Sequence, residues 1–277
     1  MAQQKLIKKY AVFGNPIEHS LSPSIHGYFA QKHNINLSYE KILCDEDKFE
    51  VELRKFFDSG GLGCNITLPF KRKAFLFVEE KSDVAKITGA VNTISKKNDI
   101  YFGDNTDGAG FIRDLKENIN FDISEKRVLI LGAGGASMGI IPNIFLEKPK
   151  SLKILNRTLD NAKNLVKRFS SIGNINYVEK SDLSENKFDL IINATSQGMN
   201  QNSFDLPPEI FCDDSIFYDL SYGKASTNMK NWAEENNIKF FDGLGMLIEQ
   251  AADSFFIWEG ERPNTTEELR NILIKEL

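Results

Sequence analysis

The second half of the chain contains five short apolar segments, separated by stretches with helical character. They are Val128–Leu131, Lys153–Leu155, Ile175–Val178, Leu190–Asn193 and Phe217–Leu220. Their apolar residues follow one another instead of alternating with polar ones, which is typical of strands covered by helices on both faces. The pattern predicts a doubly wound parallel sheet of the Rossmann type.

The first half also alternates predicted strands with predicted helices. The strands are Tyr10–Gly14, Tyr39–Leu43 and Cys64–Thr67, and the helices are Ser22–Lys32 and Asp47–Ser59. Ala90–Ser95 and Ile100–Phe102 flank the polar segment Lys96–Asp99, which predicts a β-hairpin. The alternation indicates a second α/β sheet, mostly parallel.

The length of the chain, 277 residues, favours two domains, because single cores rarely grow much beyond about 250 residues. We predict one domain from residues 1–107 plus 244–277 and a second, Rossmann-type domain from residues 108–243. Predicted helices at Gly108–Asn118 and Leu244–Gly260 connect them, and a last helix is predicted at Thr265–Leu277.

The composition excludes several classes of protein. Lysine and arginine number 34 against 39 acidic residues, a net charge of −5 without the basic excess of a nucleic-acid-binding protein. The three cysteines form no CxxC pair, so we expect neither a zinc site nor a disulfide framework. No apolar run approaches the roughly 20 residues of a membrane span, and the N-terminal segment lacks a signal-peptide pattern. We therefore expect a cytoplasmic protein without nucleic-acid or membrane partners.

A glycine-rich loop directly follows the first apolar segment of the second half. It consists of Gly132, Ala133, Gly134, Gly135 and Ala136, followed by Ser137 and a helical segment. Gly132 permits a tight turn, and Gly134 lets backbone amides approach a pyrophosphate at the helix N-terminus. The alternative is an ordinary β–α turn, but the strand–loop–helix context favours a dinucleotide site.

Asn156, Arg157 and Thr158 follow the next predicted strand, where a dinucleotide-binding protein reads the ribose. An acid there would accept hydrogen bonds from the 2′-hydroxyl of NAD. Arg157 instead suits a 2′-phosphate, with Asn156 and Thr158 as hydrogen-bonding neighbours. We predict NADP as the cofactor; the alternative is a solvated arginine before a helix capped by Thr158.

Two polar motifs lie at predicted strand ends in the first half. Asn65–Lys71 ends in a lysine, and Asp104–Gly108 contains two carboxylates. A lysine beside an aspartate can exchange a proton with a hydroxyl or a ketone and remain charge-balanced. Taken alone, Lys71 could be a surface lysine and Asp107 a helix cap. With the glycine-rich loop, the motifs suggest hydride transfer between a dinucleotide and a small polyhydroxylated substrate.

Nine segments together resemble the shikimate dehydrogenase family over nearly the whole chain. They are Gly14–His26, Asn65–Lys71, Gly89–Thr93, Asp104–Gly108, Gly132–Ser137, Asn156–Thr158, Asn193–Met199, Tyr218–Gly223 and Asp242–Ala252. The resemblance implies reversible reduction of 3-dehydroshikimate to shikimate with NADPH, on the pathway to chorismate and the aromatic amino acids. It also implies two domains that meet in a cleft, one for the substrate and one for NADP.

The resemblance further implies roles for individual residues. Lys71 would be the proton donor and acceptor, and Asp107 its partner. The substrate would be bound by Ser20 and Ser22 through its carboxylate, and otherwise by Thr67, Lys71, Asn92, Asp107, Tyr222 and Gln250. Besides the loop and the ribose-reading residues, the cofactor would contact Asp83, Asn193, Ala194, Thr195, Leu220 and Gly243. Met138 and Lys224 depart from the family pattern, and neither belongs to the proton-transfer pair.

Three alternatives stay open at this stage. A broader quinate/shikimate dehydrogenase that uses NAD is disfavoured by Arg157 and by the serine pair. A nucleotide-binding protein without turnover would have no need of the lysine–aspartate pair. A folate-type dehydrogenase of similar plan is disfavoured by the serine pair and Gln250. The sequence leaves open whether the protein is a monomer or a homodimer.

Overall fold

The computed structural model describes residues 7–195 and 206–277. The chain forms two compact units. The first unit comprises Met1–Gly110 and Ile248–Glu276, and the second comprises Phe111–Leu247 with Leu277. Within the described residues, no helix is long and apolar enough to cross a membrane.

Strands and helices alternate along most of the chain. The strands are β1 Lys8–Gly14, β2 Leu37–Leu43, β3 Gly61–Ile66, β4 Glu80–Lys81, β5 Thr93–Lys97, β6 Ile100–Asp104, β7 Arg127–Leu131, β8 Ser151–Leu155, β9 Ile175–Tyr177, β10 Phe188–Asn193, β11 Phe211–Asp219 and β12 Lys239–Asp242. The helices are α1 Ser22–Lys32, α2 Phe49–Asp58, α3 Lys71–Phe77, α4 Asp83–Thr88, α5 Asp107–Arg113, α6 Gly135–Leu146, α7 Leu159–Phe169, α8 Thr227–Glu235, α9 Leu244–Glu259 and α10 Glu267–Glu276.

The sheet of the first unit has the strand order β2–β1–β3–β5–β6–β4. Only β5 runs antiparallel to its neighbours, so the prediction of a mostly parallel sheet is confirmed. β5 and β6 form the predicted hairpin, closed by Asn98 and Asp99. Both turn residues have positive φ, 51° and 62°, as a two-residue type I′ turn requires.

Strand β3 begins three residues earlier than predicted, within the glycine-rich segment before Cys64. A side chain at Gly61 would collide with the ring of Phe56, and one at Gly63 with the indole of Trp258. Two aromatic rings therefore occupy the space next to this strand. The glycines serve close packing here rather than a turn.

The sheet of the second unit is entirely parallel, in the order β9–β8–β7–β10–β11–β12. This is the strand order 3-2-1-4-5-6 of dinucleotide-binding domains, and the prediction of a Rossmann-type sheet is confirmed. The order reverses between β7 and β10, where ligands bind in such sheets. Strand β12 was not predicted, because only two aromatic residues separate its charged ends and the strand is partly exposed.

Both faces of the central strand β7 are covered. Val128 and Ile130 pack into one apolar cluster of this unit, whereas Leu129 and Leu131 pack into another. All four are essentially inaccessible to solvent. The continuous apolar run therefore corresponds to burial on both sides of the sheet.

The helix predicted at residues 108–118 is two elements in the structure. α5 ends at Arg113, and a wider π-helical turn covers Asp114–Asn118. The buried carboxylate of Asp114 accepts hydrogen bonds from the Tyr218 hydroxyl (2.6 Å) and from the Asn118 amide (2.8 Å). The π-helical turn thus places the Asp114 carboxylate inside the core, where its hydrogen bonds are satisfied. The pattern of apolar residues does not reveal such a turn.

Candidate active site

Lys71 and Asp107 are brought together in the first unit. Each is the first residue of a helix, Lys71 of α3 and Asp107 of α5. The Lys71 ammonium donates a hydrogen bond to Asp107 Oδ2 at 2.5 Å. Their side chains are 25% and 10% exposed, so the pair is largely shielded yet open to a small molecule.

Asn92 orients the other carboxylate oxygen of this pair. Its buried amide donates to Asp107 Oδ1 at 2.8 Å, to Thr106 Oγ1 at 2.9 Å and to Gln250 Oε1 at 3.2 Å. Its own Oδ1 accepts from the backbone N–H of Thr106 at 2.9 Å. Because Asn92 is held from several sides, it fixes the orientation of Asp107, and thereby that of Lys71. Four of the predicted substrate residues therefore form one network.

The two serines form a separate pair at the start of α1. Their hydroxyl oxygens are 3.2 Å apart, and Ser22 N–H donates to Ser20 Oγ at 3.3 Å. Leu21, and not a serine, occupies the N-cap position of α1, where no side-chain cap is formed. Neither serine side chain therefore caps the helix.

Thr67 directly follows β3. Its methyl group occupies the space that a side chain at Gly14 would need.

Sequence reasoning missed a network around the buried residue Asn65. Its Oδ1 accepts from the Tyr39 hydroxyl (2.7 Å) and faces His26 Nε2 (3.2 Å). Its amide donates to Ser254 Oγ (2.9 Å) and to the backbone carbonyl of Asn92 (3.2 Å). Asn65 thus supports the residue that orients Asp107. Asn65 and His26 lie in motifs that matched the family, which is the signal that could have identified them.

His26 is fully buried and stacks on Tyr39, with ring centroids 4.5 Å apart. Burial lowers the pKa of His26 to about 3, against a smaller raising effect of the hydrogen bond to Asn65. A histidine in the unfolded chain has a pKa near 6.5. Between pH 6.5 and 3 the unfolded state therefore binds more protons, and the free energy of unfolding decreases as the pH falls.

We expect His26→Phe to flatten this acid-side decrease, which amounts to at most about 1.4 kcal/mol per pH unit for one histidine. The measurement is urea unfolding at a series of pH values between 7.5 and 5. His33→Phe is the matched control: the His33 ring packs on Phe255, as the His26 ring does, and His26 remains intact. An unchanged slope in His26→Phe would show that this histidine does not govern the acid sensitivity.

The glycine-rich loop lies at the point where the strand order of the second sheet reverses. Gly132 has a φ of +107°, and a side chain there would come within 2.9 Å of Thr195 Cγ2 and 3.0 Å of the Ala194 carbonyl. Glycine is therefore required both by conformation and by space. Gly134 and Gly135 border open space at the start of α6, where free N–H groups favour an anion. The loop and helix fit a pyrophosphate.

Asn156 links the glycine-rich loop to the segment after β8. Its Oδ1 accepts from Ala133 N–H at 3.1 Å, and its amide donates to the Thr158 carbonyl at 2.8 Å. Arg157 between them is exposed, and its guanidinium forms no ion pair with any residue that the structure describes. Thr158 occupies the N-cap position of α7, but its side chain accepts no hydrogen bond from a helix N–H. A cation free to bind a phosphate thus stands beside the loop.

The remaining cofactor candidates of this sheet follow the ends of β10, β11 and β12. Leu220 N–H donates to the Asn193 carbonyl at 2.9 Å, which ties two of these ends together. A side chain at Gly243 would lie 2.3 Å from the Leu220 carbonyl oxygen. Glycine is therefore required at this position by the chain's own backbone.

Two predicted site residues stand apart from these networks. Asp83 is the first residue of α4, and its exposed carboxylate pairs with Lys86 at 3.0 Å. Tyr222 belongs to the second unit and is partly buried, which raises the pKa of its phenol. Within the matched segment Asn193–Met199, residues 196–199 lie outside the described residues.

The Rossmann-type sheet, its glycine-rich loop and the lysine–aspartate pair define a two-domain α/β oxidoreductase that uses a dinucleotide. Models of the shikimate dehydrogenase substrate binding domain, of shikimate / quinate 5-dehydrogenase and of the shikimate 5'-dehydrogenase C-terminal domain match residues 12–94, 114–201 and 243–270. The chain is 44% identical over 267 residues to shikimate dehydrogenase (NADP(+)) of Dechloromonas aromatica, covering 96% of this chain and 97% of that protein. The chain belongs to the shikimate dehydrogenase family.

Solved structures agree with this assignment. A crystal structure of an enzyme from Pseudomonas putida is 36% identical and superposes with a TM-score of 0.89, covering 95% of this chain and 97% of that one. Shikimate 5-dehydrogenase from Thermus thermophilus, crystallised with NADP(H) and shikimate, is 29% identical with a TM-score of 0.86. That match covers 98% of this chain and all of the other.

Proposed function

We propose that this chain catalyses the reversible reduction of 3-dehydroshikimate to shikimate with NADPH, as a step of chorismate and aromatic amino acid biosynthesis. The observation that carries the proposal is the Lys71–Asp107 hydrogen bond, held in a largely buried network with Asn92 and Gln250. We infer the substrate and the cofactor from relatives that are shikimate dehydrogenases (NADP(+)).

Lys71 is the proton donor in the direction of reduction. When bound, NADPH supplies a hydride to the ketone carbon, and negative charge builds up on the ketone oxygen. The Lys71 ammonium stabilises that charge and gives its proton to the oxygen, which becomes the new hydroxyl. In oxidation, neutral Lys71 takes the hydroxyl proton back. Asp107 holds the ammonium in place through Oδ2 and is itself held by Asn92 through Oδ1.

The other polar residues of the first unit bind and orient the substrate. Ser20 and Ser22 offer two hydroxyl donors to its carboxylate, because neither is used as a helix cap. Thr67, Asn92 and Asp107 contact the ring hydroxyls, and Gln250 and Tyr222 are the further substrate-binding residues. An analogue that lacks one hydroxyl would leave buried partners unpaired, so a site of this kind discriminates well.

NADP is the proposed cofactor. The amides at Gly134 and Gly135 would hold the pyrophosphate, and Arg157 would pair with the 2′-phosphate. Thr195, Leu220 and Gly243 would form the nicotinamide side, and Asp83 would contact the cofactor from the first unit. In this scheme residues 1–107 plus 244–277 are the substrate-binding and catalytic domain, and residues 108–243 are the NADP-binding domain.

The test is the initial rate of shikimate oxidation, followed at the nicotinamide absorbance band. NADP and NAD are compared as cofactors, and quinate is compared with shikimate as substrate. We expect turnover with shikimate and NADP to exceed that with every other combination. Equal rates with quinate or NAD would indicate the broader quinate/shikimate activity that one matched model names. No turnover with any pair would refute the proposal.

A further inference from the structure

Three neighbouring strands of the second sheet end in the same way. Asn193, Asp219 and Asp242 are register partners at the carboxyl ends of β10, β11 and β12. Each uses its side-chain Oδ1 to accept a hydrogen bond from the backbone N–H two residues further on. The bonds come from Thr195 to Asn193 (3.1 Å), from Ser221 to Asp219 (2.9 Å) and from Leu244 to Asp242 (3.2 Å). These side chains shape the loops that leave the sheet.

In two of the three turns the same Oδ1 also accepts a hydrogen bond from a side-chain hydroxyl. Thr195 Oγ1 donates to Asn193 Oδ1 at 2.8 Å, and Ser221 Oγ donates to Asp219 Oδ1 at 2.7 Å. The turns of β10 and β11 therefore use one side-chain atom each and leave the second free. The free atoms are Asn193 Nδ2, a donor, and Asp219 Oδ2, an acceptor.

Both free atoms are buried. Asn193 and Asp219 are 0% exposed, and neither Nδ2 nor Oδ2 makes a hydrogen bond of normal geometry to any residue that the structure describes. The two residues are opposite each other on adjacent strands, so their side chains lie on one face of the sheet. Burial raises the pKa of the Asp219 carboxyl, and hydrogen bonding from Ser221 and the Asn193 amide lowers it, so the amide faces the carboxyl. The donor on Asn193 and the acceptor on Asp219 are therefore complementary.

We propose that Asn193 and Asp219 are a coupled pair of positioning residues for the cofactor loops, an inference that rests on the proposed function. The Asn193 amide donates towards the Asp219 carboxylate, and this bond fixes which way the amide points. Asn193 Oδ1 is thereby kept for Thr195. Since both side chains are fully buried, they act on bound NADP only through the loops that they hold.

The pair also acts on the glycine-rich loop. Thr195 Cγ2 lies only 2.9 Å from the position that a Cβ atom on Gly132 would occupy. A rotated Asn193 amide would turn Nδ2 instead of Oδ1 towards the Thr195 N–H and hydroxyl, and both hydrogen bonds beside Gly132 would be lost. The pair thus connects the end of β11, through β10, with the loop that would bind the pyrophosphate.

The test exchanges the two side-chain types. D219N places two amides opposite each other, and N193D places two carboxylates opposite each other. In the double variant N193D/D219N the donor and the acceptor change strands, and both turn acceptors are kept. We expect each single variant to raise the Kd for NADPH at least tenfold, and the double variant to return it to within about threefold of the wild type.

The readouts separate positioning from a general loss of structure. The Kd for NADPH is titrated by nicotinamide fluorescence, and KM is determined for NADP and for shikimate. We expect KM for NADP to rise while KM for shikimate changes less than twofold. Asp214→Asn, at an exposed position of the same strand β11, is the matched control and should bind NADPH like the wild type.

Two results would overturn the coupling: single variants that bind NADPH normally, or a double variant that binds no better than the worse single one. If a single variant does not fold, the double variant still decides, because recovery of folding and binding requires the restored pair. A failure of the proposed function can be distinguished from a failure of the coupling by measuring the wild type. A wild type that binds NADPH but does not oxidise shikimate counts against that function alone.

Discussion

Lys71→Ala should lower kcat for shikimate oxidation by roughly 10² to 10⁴, the usual contribution of a positioned acid–base group. KM for shikimate should change only a few-fold, because the serine pair, Asn92 and Gln250, which we propose as substrate-binding residues, are left in place. The physical reason is that the ketone oxygen loses both its proton source and the positive charge that stabilises it. Steady-state rates at saturating NADP and varied shikimate test this prediction.

Lys73→Ala is the matched control, since Lys73 belongs to the same helix and its ammonium bonds the Glu46 carbonyl at 2.5 Å, away from Asp107. It should keep near-normal turnover. A small primary amine added to Lys71→Ala should restore part of the lost rate if the ammonium itself is what the reaction needs. Near-normal turnover in Lys71→Ala without added amine would refute the assignment of this residue.

Arg157→Ala should raise KM for NADP by roughly ten- to a hundredfold and leave KM for NAD nearly unchanged. A hydrogen bond to a charged group contributes about 1.5–3 kcal/mol, and only NADP carries the 2′-phosphate that would receive it. The effect should weaken as the salt concentration rises, because the guanidinium is exposed. Kinetics with both cofactors at two ionic strengths provide the measurement.

The matched control for Arg157 is Arg168→Ala, at the opposite end of α7, where the guanidinium lies over the Phe169 ring. It should leave the preference between NADP and NAD unchanged. A parallel loss of affinity for both cofactors in Arg157→Ala would contradict a role in reading the 2′-phosphate. It would point instead to a general disturbance of the loop that Asn156 holds.

The strands of the second sheet can be predicted because burial on both faces leaves a continuous apolar run, as in β7. Elements that depend on contacts between distant residues cannot be predicted in this way. The start of β3 depends on the rings of Phe56 and Trp258, and the end of α5 depends on the bonds of buried Asp114. Helices α3 and α4 are only seven and six residues long, too short for a clear periodic pattern.

The residues of the candidate site also fall into a predictable and an unpredictable group. Lys71 and Asp107 could be named from the sequence because motifs and chemistry point to them, and the structure places them 2.5 Å apart. The network behind them could not be predicted, because Asn65 bonds side chains contributed by Tyr39 and Ser254, which are far away in the chain. The reason for glycine at residue 243 is likewise a backbone contact that no local pattern encodes.

The discontinuous first unit has a consequence for synthesis on the ribosome. Its core includes residues from the end of the chain: Trp258 stacks on Tyr10 of β1 at 4.6 Å, and Phe255 and Leu269 are fully buried. Apart from Leu277, all of the second unit has been translated once Leu247 is added, whereas the first must wait for the C-terminal helices. Domains normally fold in the order of their synthesis. Here most of the part translated first waits for helices that are translated after nearly all of the second unit, so its apolar surfaces stay uncovered until α9 and α10 have been made.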